Sequence, residues 1–180
     1  WRMERPELTS WAEAAPDLVS VAAGRAAADL VIRGGTWVNV QEVKELYQAR
    51  AAIEGQAARI LAVENSTDKI RQLRSVIERE ENISSPTVEA YFEANRTIHR
   101  TFIEQSDNRY LLEMFDNIWN RGIGYYMFGA IEKLDLSKSL GDHMSLVDAI
   151  ETTNPTTAMD AVVAHITDGF DLQLKALAAR

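Results

Sequence analysis

The 180-residue chain contains no cysteine. Disulfide bonds and thiolate metal sites are therefore excluded, and any metal that binds must be held by nitrogen and oxygen ligands. No apolar run approaches the roughly 18 residues of a membrane-spanning helix. The first residues, Trp-Arg-Met-Glu-Arg-Pro, lack the pattern of a secretory signal peptide. We expect a soluble, cytoplasmic protein with no membrane partner.

The chain has no excess of basic residues. Lys and Arg number 19 against 27 Asp and Glu, which gives a net charge of −8. Because proteins neutralise phosphates with clustered Lys and Arg, this balance argues against an extended nucleic-acid surface on this chain. The hydrophobic fraction of 46% is ordinary for a folded protein. The length is enough for one helical domain with its own core.

Residues 1–40 have a different character from the rest of the chain. Short Ala-rich pieces alternate there with Pro6, Pro16 and Gly24. In residues 30–40, β-branched residues flank the pair Gly34-Gly35, a pattern typical of a short β-hairpin. An irregular N-terminal arm is the alternative, and the sequence leaves both open.

From Gln41 onward the sequence has helical periodicity. Apolar residues recur every three or four positions, and capping residues separate the periodic segments. We therefore expect an all-α, antiparallel bundle of six or seven helices, preceded by the short N-terminal segment. The predicted helices cover residues 41–64, 67–81, about 86–105, about 109–128, 137–150 and about 155–178.

All three histidines of the chain lie on apolar helix faces. His99, His143 and His165 belong to three different predicted helices, and Asn95 precedes His99 by one turn on the same face. Burying such groups without partners costs roughly 1–3 kcal/mol each. Imidazole and oxygen ligands suit a divalent metal, zinc above all, with Ni, Mn or Fe as alternatives. The pattern predicts a metal site formed by these four residues. Hydrogen-bonded core histidines without a metal are the alternative.

Besides the histidines and Asn95, a charged residue, Arg50, also lies on an inward helix face. It lies on or beside the apolar stripe of the first helix, one turn before Glu54. Such an arginine either forms a structural ion pair with Glu54 or faces a cavity in which an anion binds. The sequence leaves both possibilities open.

Two segments of the chain resemble a known family. Residues 46–55, Leu-Tyr-Gln-Ala-Arg-Ala-Ala-Ile-Glu-Gly, resemble the opening helix of the FCD domain. That domain is the C-terminal effector-binding domain of the FadR subfamily of GntR transcription regulators. Asn95-x-x-x-His99 and residues 106–111 resemble that family's segment of an acidic residue followed four positions later by His, and the turn after it.

Three further matches extend the resemblance to about residues 30–180. Asp142-His143 and Ala164-His165 match the family's remaining two histidines, and residues 33–38 resemble the wing of a winged-helix domain. The chain departs from the family in two places: Asn95 stands where Asp is most common, and residues 1–30 lack a recognisable helix-turn-helix. We therefore interpret 1–40 as a partial or degenerate winged-helix segment and 41–180 as the FCD-like domain.

The resemblance implies a bacterial transcription regulator that responds to a ligand, and not an enzyme. A divalent metal and a small organic acid would bind in the bundle, and a homodimer would bind operator DNA through its N-terminal domains. A metal-dependent hydrolase and a metal-free helical dimerisation module are the alternative functions. The effector contacts implied are Arg50, Trp119, Arg121 and Tyr126.

Overall fold

The computed structural model describes residues 40–82, 87–120 and 142–178, all within one compact unit, Trp37–Arg180. These ranges contain six α-helices and no strand, which confirms the all-α fold. The predicted hairpin and nearly all of the predicted N-terminal segment lie outside the described residues. The helices are α1 (Val40–Glu64), α2 (Thr67–Glu81), α3 (Val88–Gln105), α4 (Arg109–Trp119), α5 (His143–Glu151) and α6 (Pro155–Ala178).

The first helix is the centre of the bundle. It packs against α3, α4, α5 and α6, and its longest interface is with α6. One stripe of α1, with members three or four residues apart, is buried along most of its length. Arg50 and Glu54 lie on this stripe and are 5% and 2% exposed. The buried apolar members of the stripe are Val43, Tyr47, Ala57, Ala58, Leu61 and Ala62.

The other helices complete the core around α1. α2 packs against α3 and α5, α4 packs against α1 and α3, and α5 packs against α6. Each buried side chain of Leu or Ile size stabilises the fold by about 1.5–3 kcal/mol relative to exposure. The largest fully buried apolar side chains are Leu73, Ile77, Tyr91, Ile98, Ile103, Phe115 and Ile150.

Two predicted helix starts have the expected capping geometry. The Asn154 Oδ1 accepts hydrogen bonds from the backbone N–H groups of Thr156 and Thr157, at 3.0 and 3.2 Å. Pro155 follows as the first residue of α6, where its missing N–H costs nothing. Asn108 caps α4 in the same way, through the N–H groups of Tyr110 and Leu111.

Two predicted helix starts were wrong. α5 begins at His143 and not at residue 137, because Asp142 has a left-handed φ of 91° that a continuous helix does not allow. α3 begins at Val88 and not at about residue 86, because Thr87 is its cap and its Oγ1 accepts from the Ala90 N–H at 3.1 Å. α4 ends at Trp119 with Asn120 as its C-cap, whereas residues 121–128 of the predicted helix lie outside the described residues.

Of the helices in the described ranges, none combines the length and the apolar character needed to cross a membrane.

Candidate metal centre

The bundle brings the three histidines together. His99 comes from α3, His143 is the first residue of α5, and His165 lies in α6. One ring nitrogen from each lies within 4.8 Å of the others. The ring centroids are 5.2 Å apart for His99 and His143, 5.4 Å for His99 and His165, and 4.6 Å for His143 and His165.

The three nitrogens are spaced more widely than around a bound zinc. Ligand nitrogens of a tetrahedral zinc lie about 3.4 Å apart, because each Zn–N bond is about 2.1 Å long. Side-chain movements of up to about 0.8 Å would bring nitrogens that are 4.8 Å apart into one coordination shell. The donor set of three imidazoles fits a divalent transition metal.

Two of the rings are neutral at pH 7. Burial, opposed by the Glu54 carboxylate, lowers the pKa of His99 to about 4. Burial, with a smaller contribution from His99 and His143, lowers the pKa of His165 to about 2. A neutral imidazole keeps one nitrogen lone pair, which is the form that binds a metal.

A buried carboxylate from α1 contacts the first histidine. The Glu54 Oε2 lies 2.5 Å from the His99 Nδ1, and both side chains are almost fully buried. Burial raises the pKa of Glu54, but the Arg50 guanidinium and then His99 outweigh it and lower that pKa to about 2. Glu54 is therefore ionised and can only accept hydrogen bonds.

A second carboxylate contacts His143. The Glu81 Oε1, at the end of α2, lies 3.0 Å from the His143 Nδ1. The same oxygen accepts a hydrogen bond from the His143 backbone N–H at 3.3 Å. Glu81 is less buried than Glu54, with 25% of its side chain exposed. His165 differs from both other histidines, since no hydrogen bond to its ring is found within the described ranges.

Arg50 pairs with Glu54 rather than pointing away from it. Its Nε donates to the Glu54 Oε1 at 2.8 Å. Its guanidinium carbon lies 5.0 Å from the Tyr47 ring centroid and 4.7 Å from that of Trp119, within the range of cation–π attraction. The ion pair that the sequence allowed is therefore formed, beside an aromatic wall.

Trp119 forms that wall at the end of α4. Its ring packs on Phe92 and Phe115, with centroid distances of 4.9 and 5.6 Å. Its Nε1 is buried and has no hydrogen-bond partner in the part of the chain that the structure describes. A buried N–H donor without an acceptor costs about 1–3 kcal/mol, so a ligand acceptor beside it would be stabilising.

The remaining predicted site residues divide into two groups. Asn95 is buried, 7% exposed, one turn before His99 on α3. Arg121 and Tyr126 lie outside the described residues.

The sequence did not predict that Glu54 and Glu81 contact histidines. Glu54 was considered only as the partner of Arg50, and Glu81 stands in the charged segment Glu-Arg-Glu-Glu that is typical of a solvated helix end.

Comparison with known proteins gives a family for most of the chain. A family model described as the FCD domain matches residues 45–168. The fold is similar to the metal-free FCD domain of TM0439, with a TM-score of 0.59 at 17% identity, over 81% of this chain and 100% of that one.

Curated relatives fall into two kinds. The Uxu operon regulator of Haemophilus influenzae is 23% identical over 127 residues, which span 68% of this chain and 47% of the regulator. An adenine deaminase of Ruegeria pomeroyi is 51% identical over 57 residues, 31% of this chain. The chain thus spans about half the length of the regulator and 10% of the length of the deaminase.

Proposed function

The chain belongs to the FCD domain family, and from that premise we propose that it is the sensor part of a ligand-responsive bacterial transcription regulator of the GntR type. In this proposal, residues 41–180 bind the ligand and residues 1–40 are what this chain contains of the DNA-binding domain. The protein acts as a homodimer in the cytoplasm and has no catalytic activity.

We further propose that the bundle holds a divalent metal, zinc first among the candidates. The observation that carries this proposal is the convergence of three histidines from three helices, with ring nitrogens within 4.8 Å of one another. The neutral state of His99 and His165 supports it, because protonated rings would not bind a cation. Asn95, one turn before His99, would supply an amide oxygen as a fourth ligand.

The effector is proposed to be a small organic acid. A metal held by imidazoles and one amide would supply a Lewis-acidic position for a carboxylate oxygen. Beside it, the described residues offer the Arg50 guanidinium and the buried Trp119 Nε1, two donors suited to the remaining oxygens. Arg121 and Tyr126 stay predicted contacts. Effector binding would change operator affinity through a coupling between two sites of the dimer.

The hydrolase alternative has less support. Such an enzyme needs a general base near the metal. Among the described residues, the two carboxylates that reach the histidines, Glu54 and Glu81, are already hydrogen-bonded to them. Glu54 is also paired with Arg50.

Metal content tests the proposal. We expect the purified 180-residue chain to carry about one equivalent of zinc per chain after loading, measured by elemental mass spectrometry. His165→Ala should lose it, whereas Asp168→Ala, an exposed change one turn later on α6, should retain it. In a thermal-unfolding screen of carboxylic acids, an acid that binds as the effector should then raise the melting temperature only when the metal is present. Unchanged zinc in His165→Ala, or none in the loaded wild type, would contradict the metal site.

A further inference from the structure

Two histidines of the candidate metal centre share one arrangement. In each, the Nδ1 contacts a carboxylate that belongs to a different helix. Glu54 of α1 reaches His99 of α3 at 2.5 Å, and Glu81 of α2 reaches His143 of α5 at 3.0 Å. The carboxylates are 45 and 62 residues away from their histidines along the chain. The tertiary fold, and not local sequence, therefore creates both contacts.

The direction of these hydrogen bonds follows from the acceptors. Where a carboxylate oxygen is the acceptor of the hydrogen bond, the imidazole carries its proton on Nδ1. The Glu81 oxygen also accepts from the His143 backbone N–H, which is the behaviour of an acceptor. A neutral ring with its proton on Nδ1 has its lone pair on Nε2. Both rings therefore present Nε2 as the nitrogen that can bind a metal.

We propose that Glu54 and Glu81 are positioning residues, which fix His99 and His143 as Nδ1–H tautomers so that both bind one metal ion through Nε2. This inference rests on the proposed metal site and adds to it two residues that are not ligands. Carboxylates that hold ligand histidines in this way raise their basicity and fix their orientation. His165 has no such partner in the described ranges and is the ligand whose ring adjusts to the ion.

The two positioning residues are held with different strength. The Glu54 Oε1 accepts from the Arg50 Nε at 2.8 Å while its Oε2 contacts His99, so both oxygens are engaged and buried. Glu81 is partly exposed, and the hydrogen bonds found for its carboxylate both come from His143. We therefore expect the His99 tautomer to be fixed more strictly than that of His143.

Nitrogen NMR of the histidine rings in zinc-free protein tests the tautomers directly. We expect both His99 and His143 to have a protonated Nδ1 and an unprotonated Nε2, and zinc to shift the Nε2 signals. In Glu81→Gln the His143 ring should become a mixture of tautomers, because an amide both donates and accepts. The control Glu80→Gln changes the adjacent residue, which is hydrogen-bonded to Arg79, and should leave both rings as in the wild type.

Zinc affinity gives the second readout, measured by competition with a chromophoric chelator. We expect a loss of about 10–100-fold in Glu81→Gln and at least as much in Glu54→Gln, with Glu80→Gln unchanged. Glu81→Gln is expected to fold. If Glu54→Gln does not fold, the zinc affinity of Glu81→Gln alone tests the positioning role. Unchanged zinc affinity in folded Glu81→Gln, or Nε2–H tautomers in the wild type, would overturn the positioning role alone. No zinc binding by the wild type would overturn the metal site, and the positioning role with it.

Discussion

Two adjacent residues of α3, His99 and Arg100, contact carboxylates in opposite surroundings. His99 faces Glu54, which forms a buried ion pair with Arg50; we call Arg50–Glu54 the inner pair. Arg100 pairs with Asp116 of α4, with the two side chains 33% and 30% exposed; we call Arg100–Asp116 the outer pair. Both pairs have an arginine Nε to carboxylate distance of 2.8 Å. The outer pair has a second hydrogen bond, from the Arg100 Nη2 to the Asp116 Oδ2 at 3.0 Å, and joins two helices, whereas the inner pair lies within α1. The outer pair is thus the better connected of the two, and the inner pair is the more deeply buried.

Burial decides what each pair contributes to stability. An exposed ion pair typically contributes about 0.2–1 kcal/mol, because water screens the charges. A buried pair is itself of little net benefit, since both charges have lost their hydration, but removing one partner leaves the other charge buried and uncompensated. Removing one partner of the inner pair should therefore cost much folding free energy, although the intact pair contributes little to stability.

The largest expected effect comes from breaking the inner pair. Glu54→Ala should lower the free energy of unfolding by about 3–5 kcal/mol, because the Arg50 guanidinium remains buried without its partner. Asp116→Ala should lower it by less than about 1 kcal/mol. Urea unfolding of zinc-free protein, followed by circular dichroism, measures both.

A double variant separates the loss of a partner from the loss of an interaction. Arg50→Met with Glu54→Leu removes both charges and should recover most of the stability lost in Glu54→Ala. Equal losses in Glu54→Ala and Asp116→Ala would show that burial does not distinguish the two pairs.

A smaller effect is expected from the packing beside the inner pair. A Cβ on Gly55, the residue after Glu54, would lie 3.1 Å from both the Met159 Cγ and the Val163 Cγ2 of α6. Gly55→Leu should therefore destabilise the fold by about 1–3 kcal/mol through overpacking. Thermal unfolding measures this loss.

Gly169 of α6 is the matched control. A Cβ there would meet nothing within 4 Å among the described residues. Gly169→Ala should stabilise the protein by up to about 1 kcal/mol, because alanine favours the helix. A Gly55→Leu variant as stable as the wild type would mean that α1 and α6 are not closely packed at the inner pair.

The smallest expected effect is the pH dependence of the outer pair. The hydrogen bonds from Arg100 hold the pKa of Asp116 below its ordinary value of 3.8, against a smaller opposing effect of burial. Asp116 therefore binds a proton more readily in the unfolded chain than in the folded one. The pair stabilises the fold at pH values above 3.8, and this stability is lost as the pH falls and Asp116 becomes protonated. The difference in urea midpoint between wild type and Asp116→Asn should narrow between about pH 6 and about pH 3. A difference that widens towards acid would have the wrong sign.

Much of this arrangement could be predicted from the sequence. Helical periodicity assigned His99, His143 and His165 to inward faces of three helices, and the structure brings them together. The caps Asn154 and Asn108 were also predictable, since side-chain capping depends on residues only two or three positions away. Whether the histidines bind a metal stays a prediction.

The carboxylate contacts could not be predicted in the same way. Periodicity assigns a residue to a face but does not say which distant residue it meets, and Glu54 and Glu81 meet histidines 45 and 62 residues away. The predicted start of α5 was wrong for a local reason. Asp142 adopts a left-handed φ that its residue type tolerates but does not require.

The shortness of α5 makes its stability depend on its neighbours. It has nine residues, and no side-chain hydrogen bond caps its start at Asp142. Isolated helices shorter than about 12–15 residues are marginal in water, so α5 forms only against α2, α1 and α6. His143 is its first residue and reaches its place only once these partners have assembled. Unlike a zinc finger, which folds around its ion, this chain brings its three histidines together through contacts between helices that are far apart in sequence.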